Sequence, residues 1–161
     1  MTTSRYSSAQ LVALVALRWL IGWHLLYEGV AKILNPYWTS AGYLQAAQGP
    51  LSGLYVWLAS AGSRLATVDA LNKWGLVLIG TALMLGLFTR YATAAGIILL
   101  ALYYLGNVPL VGSESVIPTE GSYLVVNKTL VELAALVVLF VFPTGKLVGL
   151  DNWLGARGDA R

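Results

Sequence analysis

The chain has 161 residues, of which 58% are hydrophobic and only 11% charged, whereas about a quarter of an average soluble domain is charged. A mean hydropathy of +0.71 with 17 glycines and 6 tryptophans excludes a disordered chain and a basic nucleic-acid binder, and leaves a small integral membrane protein. The net charge of +3 comes from cations spread along the whole chain, so it forms no patch for phosphate. Cysteine is absent, which excludes disulfides, thiolate metal sites, iron–sulfur clusters and thiol redox chemistry within this chain.

The first apolar stretch runs from about Gln10 to Leu34 and carries Arg18, Glu28 and Lys32. It is too long and too interrupted for the apolar core of a signal peptide, which spans about 7 to 15 residues. Asn35-Pro36 closes it. Tyr37 to Gln48 then reads as a short helix ended by Gly49-Pro50, and Leu51 to Leu65 is apolar again. That stretch is too short to cross a bilayer of about 30 Å, so it is expected to be interfacial or re-entrant. A second span fits Leu71 to Phe88, a third Tyr91 to Leu105 and a fourth Tyr123 to Phe142. Thr89 and Arg90 leave almost no loop between the second and third, which makes them antiparallel neighbours. The expected fold is therefore all-α: one domain over residues 1–161, an integral membrane four-helix bundle with a short helical segment between its first two spans.

Four spans place the amino terminus, the turn at Arg90 and the tail on one side. That side collects Arg5, Arg90, Lys146, Arg157 and Arg161 and is the cytoplasm by the positive-inside rule. Tyr37, Trp38, Trp74, Tyr104 and Tyr123 fall at the opposite ends, as interfacial anchors do. Ala82 with Gly86 and Ala92 with Gly96 are small residues four apart, the spacing of close helix packing in membranes.

Within the first span, Arg18, His24, Leu25, Glu28 and Lys32 fall on an arc of about 120°. Charged groups at membrane depth cost about 2.5 to 3.5 kcal/mol each, so this face should turn inward and find partners. The fourth span offers Lys128 and Glu132, with Asn127 adjacent. At about 1.5 Å per residue, Glu28 lies about 9 Å deep and Lys128 about 8 Å, while His24 and Glu132 lie about 15 Å and 14 Å deep. Equal depths predict that Glu28 pairs with Lys128 and His24 with Glu132, leaving Arg18 to reach for Glu132. Such a face is either a structural ion-pair seam or a site for a polar ligand or a proton path. In the second case His24 and Glu132 are the candidate catalytic pair for quinone reduction, one donating to a carbonyl oxygen and the other relaying the proton. Arg18, Glu28, Lys32 and Lys128 are then candidates to bind the quinone or an anion. His24 is the sole histidine, which argues against a haem held by two histidines of one chain, and no flavin or metal motif is present.

The spacing of Arg18, Gly22, Gly29 and Lys32, the run LGLFTRYA from Leu85 to Ala92 and the closing GKLVGLDNWL, with Gly149-Leu150-Asp151 inside it, resemble the DoxX/DoxD family of small membrane proteins. The closing segment is most similar to the DoxD branch. The resemblance covers the chain from about Arg18 to Trp153 and implies a multi-pass four-helix bundle in a prokaryotic inner membrane, with both termini cytoplasmic. It also implies a quinone-linked redox role, that of the large membrane subunit of thiosulfate:quinone oxidoreductase, acting with a second protein subunit. Only Arg18 and Lys32 belong to the family pattern; His24, Glu28, Lys128 and Glu132 rest on the depth argument. The competing expectation is a structural or assembly subunit of a larger respiratory or photosynthetic membrane complex, in which the polar face only fixes helix register. Membrane lipid is a partner in either case, and nucleic acid in neither.

Overall fold

A computed structural model describes residues 6–108 and 125–153, and these fold into six helices without a strand element. Helix α1 spans Ser8–Leu34. It starts where Ser7 and Gln10 close a capping box: the Ser7 N–H donates to Gln10 Oε1 at 2.9 Å and the Gln10 N–H to Ser7 Oγ at 3.3 Å, so two otherwise orphaned donors are satisfied. It stops at Asn35 because Pro36 forces the residue before it out of the helical region. Two short helices follow, α2 (Ala41–Gln45) and α3 (Ser52–Ala59), before the long α4 (Gly62–Leu85).

The segment expected as one apolar element from Leu51 to Leu65 is thus divided. Its last residues, from Gly62, are the first turn of α4, which begins nine residues before the expected Leu71. Polar Arg64 and Asp69 interrupt the apolar pattern here, yet Gly62–Leu85 is one continuous helix that packs against α3. Gly86 then ends α4 in the left-handed conformation, φ 65°, with the Leu87 and Gly86 N–H groups returning to Ala82 and Leu83 carbonyls at 2.9 and 3.3 Å. This is a Schellman motif, which a β-carbon would strain. Gly86 is therefore a terminator rather than the packing partner of Ala82.

Helix α5 (Thr89–Gly106) begins three residues later, and α6 (Lys128–Val141) is capped by Asn127, whose Oδ1 accepts from the Leu130 N–H at 2.9 Å. The expected start of this span at Tyr123 lies outside the described residues. Pro143 and Gly145 follow its end, as anticipated.

The largest helix interface joins α1 to α4, and the next joins α5 to α6; smaller ones link α4 to α5 and α1 to α6. The first is close because glycines let the backbones approach. A β-carbon at Gly80 would sit 2.4 Å from Leu26 N, and one at Gly29 2.8 Å from Val77 N. Gly96 does the same for the second interface, where Leu136 Cδ1 would be 2.9 Å from its β-carbon. The core between the helices holds Ile21, Leu25, Leu76, Ile79, Leu83, Leu100, Leu136 and Leu139.

Their outer faces are apolar as well. Trp19, Leu20, Trp23 and Tyr27 on α1 and Leu71, Trp74 and Leu78 on α4 are more than half exposed. Helices α1 and α4 are each long and apolar enough to cross a membrane, at about 40 Å and 36 Å in length.

Helices α2 and α3 fold over the carboxyl end of α5, around buried Leu44, Ala47 and Tyr55. Their polar groups close the carbonyls that a helix end leaves open. Tyr55 Oη donates to Leu102 O at 2.7 Å, Tyr43 Oη to Tyr103 O, and the Gln48 and Gly49 N–H groups to Gly106 O at 3.1 and 3.0 Å. The segment is fastened to α4 by Ser40, whose N–H and hydroxyl both donate to Asp69 Oδ1, at 2.8 and 2.5 Å.

Candidate functional site

A cavity of about 420 Å³ opens beneath α2, between α1, α4, α5 and the start of α6. Its apolar walls are Leu25, Leu76 and Leu100, and its polar lining comes from every neighbouring element: His24, Glu28 and Lys32 from α1, Ser40 and Tyr43 near α2, Asn72 from α4, Tyr103 from α5, and Asn127, Lys128 and Glu132 from α6. Its size lies within the range of small-molecule sites, about 300 to 1,000 Å³.

The side chains of α1 at this cavity stand one turn apart and are linked in series. His24 Nδ1 meets Glu132 Oε1 across the α1–α6 contact. His24 Nε2 faces Glu28 Oε1 at 4.0 Å, and Glu28 Oε2 faces the Lys32 ammonium at 3.4 Å. The Lys32 ammonium also lies over two aromatic rings, 5.4 Å from the centroid of Trp38 and 5.9 Å from that of Tyr103. Lys73 lies over the same Trp38 ring, 5.1 Å from its centroid. Tyr103 Oη accepts from Asn72 Nδ2 at 2.5 Å. The wall thus presents imidazole, carboxylate, ammonium, amide and phenol groups around one apolar space.

The structure brings together five of the six residues singled out in the sequence. His24 and Glu132 are in contact, as their equal depths require. Glu28 and Lys128 line the same cavity, but Glu28 takes Lys32 on its own helix as its ion-pair partner instead of Lys128. A lysine four residues on is within reach whatever the neighbouring helix does, whereas equal depth leaves the lateral separation open. Lys128, an exposed residue at the cavity's edge, consequently has no carboxylate partner among the described residues.

Arg18 is the residue that must be moved. It neither lines the cavity nor reaches Glu132. Its guanidinium is 1% exposed and donates to Thr144 Oγ1 at 3.0 Å and to Val148 O at 2.7 Å, in the segment after α6. The same segment supplies Asp151, which accepts from the Phe88 N–H at 2.6 Å, the Thr89 N–H at 3.0 Å and the Thr89 hydroxyl at 2.7 Å. Asp151 therefore caps α5 from a distance and holds Phe88 in its left-handed conformation, φ 46°. Arg18 is a fastener for the chain's carboxyl-terminal part.

Asn72, Tyr103, Tyr43 and Ser40 were not anticipated. Placing the second span at Leu71 put Asn72 at its edge, where an amide attracts no notice; with α4 starting at Gly62 it lies well inside the helix and needs an inward partner. Tyr43 and Ser40 left no signal, because the folding of α2 over the bundle is a tertiary event.

Comparison of the chain with protein-family models, with curated proteins and with solved structures found no match.

Proposed function

We propose that α1, α4, α5 and α6 form a four-helix bundle in a prokaryotic inner membrane, with both termini cytoplasmic, and that the cavity holds the headgroup of a quinone. The reading is supported by the exposed apolar belt on α1 and α4, which water would penalise and lipid would not. The orientation is supported by Arg90 and Lys146 at one end of the helices. Arg5, Arg157 and Arg161, which would join them, lie outside the described residues.

A single observation carries the quinone: an apolar slot between helices contains His24 in contact with Glu132, with the Lys128 ammonium, Asn72 and Tyr103 on the same wall. A quinone ring needs an apolar slot, donors for its carbonyl oxygens and a proton source, and these groups are of those kinds. A quinone held there would supply two-electron, two-proton redox chemistry. His24 would donate to one carbonyl with Glu132 as the acid–base group behind it, and Lys128 would stabilise negative charge as it develops.

The electrons have to come from outside the chain's own side chains. The resemblance to the DoxX/DoxD family suggests thiosulfate as the reductant and a second protein subunit as the partner. The chain is in this reading the membrane subunit of a quinone-linked redox system of the thiosulfate:quinone oxidoreductase kind.

Extraction from native membranes in mild detergent tests the reading. Quinone co-purifying with the wild type, and lost from folded His24→Phe and Glu132→Gln along with any thiosulfate-dependent quinone reduction in membranes, is the expected result. Quinone content and turnover unchanged in both variants would place the site elsewhere. A stoichiometric protein partner without quinone would instead make the chain an assembly subunit.

A further inference from the structure

The imidazole of His24 stands between two carboxylates that belong to different helices, and one of them is more exposed than the other. Glu132, at Nδ1, has 19% of its side chain exposed; Glu28, facing Nε2, has 44%. Beyond Glu28 comes Lys32, 17% exposed and one turn nearer the end of α1. We infer that Glu28 and His24 form a proton relay that links water at the half-exposed Glu28 carboxylate to Glu132, with Lys32 as the positioning residue.

Imidazole is suited to this place because it can take a proton on one nitrogen while releasing one from the other. Inward transfer starts with Glu28 protonated, the His24 proton on Nδ1 and Glu132 ionised. The Glu28 proton passes to Nε2, the Nδ1 proton passes to Glu132, and Glu28 is left ionised, with two protons on the three groups before and after. Glu28 is then recharged from water, and the ring returns to its first tautomer before a second passage. The 4.0 Å between Nε2 and Glu28 is longer than a hydrogen bond. Rotation of the half-exposed Glu28 side chain, or one bridging water, closes it. Lys32 keeps Glu28 on this face of α1, within one rotation of the ring, by holding the other carboxylate oxygen at 3.4 Å, and it is itself held over Trp38 and Tyr103. Polar groups from the other elements around the path include Lys128 from α6, Asn72 from α4 and Tyr103 and Tyr43 from α5 and α2. The His24 side chain is itself 29% exposed, so direct exchange of the ring with water is the competing route that the experiment separates from the relay.

The relay rests on the quinone reading and deepens it by reloading Glu132, the acid–base group behind His24, between turnovers, but its test requires no quinone. His24 is the only histidine in the chain, so nitrogen-15 histidine labelling gives one imidazole to observe. Exchange of its ring N–H protons with water is to be measured by magnetic resonance on the full chain in lipid nanodiscs after quinone extraction. Glu28→Gln keeps the shape of the side chain and removes its acid–base function, so exchange at Nε2 should slow on the order of a hundredfold, the lower end of what a positioned acid–base group supplies. Lys32→Met should slow it less and Lys32→Arg should restore it, which a purely structural ion pair would not require. Glu28→Asp, one methylene shorter, gives an intermediate rate and serves if the glutamine variant does not fold. A wild-type rate in either Glu28 variant means that water reaches the ring directly, and overturns the relay. Loss of quinone binding with the exchange pattern intact would overturn the quinone and leave the relay standing.

Discussion

Two polar clusters lie toward opposite ends of the same helices, and they use the same residue types to different ends. The cluster around Arg18 and Asp151 is closed: Arg18, Thr144 and Thr89 are at most 2% exposed, and both charged groups spend hydrogen bonds on backbone atoms of another segment. Gly145 and Gly149 make the closure possible, since β-carbons there would lie 2.0 Å from Thr89 Oγ1 and 2.7 Å from Gly86 O. The cluster around His24 is open. Its charges meet other side chains, face a cavity and include the Lys128 ammonium, which lacks a carboxylate among the described residues. A buried charge closed by backbone groups fastens the fold, whereas one left facing space is available to a ligand.

The strongest way to break this contrast is at Arg18. Arg18→Met should lower stability by about 3 kcal/mol, because two hydrogen bonds from a charged donor disappear and the buried Thr144 hydroxyl loses its donor. Denaturant unfolding in detergent, followed by helicity, measures it; a loss below about 1 kcal/mol would mean that water takes over those bonds. Asp151→Ala should cost somewhat less, about 2 kcal/mol, as the loss of a helix cap does at the upper end of its range. Ligand retention at the cavity should be unchanged in the Asp151 variant.

A smaller effect separates the segment over the cavity from both clusters. Burial pushes the Tyr43 hydroxyl above its ordinary value of 10.0, against a lowering contribution from Asn107. The folded state thus prefers the neutral phenol, so the stabilisation is full below about pH 10 and is lost as pH rises further. Unfolding measured from about pH 9 to 11 should show this decline, and Tyr43→Phe should flatten part of it; Tyr55, raised by burial as well, accounts for more. The smallest effect concerns Glu28 and Lys128. Glu28→Gln and Lys128→Met should be additive within about 0.5 kcal/mol in a double-mutant cycle, since the two side chains share a cavity and not a bond. A coupling above about 1 kcal/mol would show that they pair in the membrane.

The outcome at these residues shows how far a helical count reaches. Rise per residue predicted the meeting of His24 with Glu132, because depth along nearly parallel helices is additive. It failed for Glu28 and Lys128 at equal depth, because depth carries no information about which way two helices are turned toward each other. It failed for Arg18 for another reason: the partners are on a segment that folds back after α6 and are 126 and 130 residues away in the chain. The start of α4 was misplaced because Arg64 and Asp69 interrupt its apolar pattern, and the Ser40 hydrogen bonds that explain Asp69 join α4 to a different element.

By itself the sequence determined what is local: a helical chain of apolar segments, the end of α1 at Asn35-Pro36, and the gathering of His24, Glu28 and Lys32 on one side of α1. These follow from backbone capping and a fixed helical period, which act within a few residues. Only the tertiary structure decided that α2 and α3 fold over α5, that Arg18 and Asp151 belong to a fastener, and that the other charges face a common cavity. Those outcomes depend on the lateral placement of helices whose close approach is set by Gly29, Gly80 and Gly96, and a periodicity confined to one helix does not contain them.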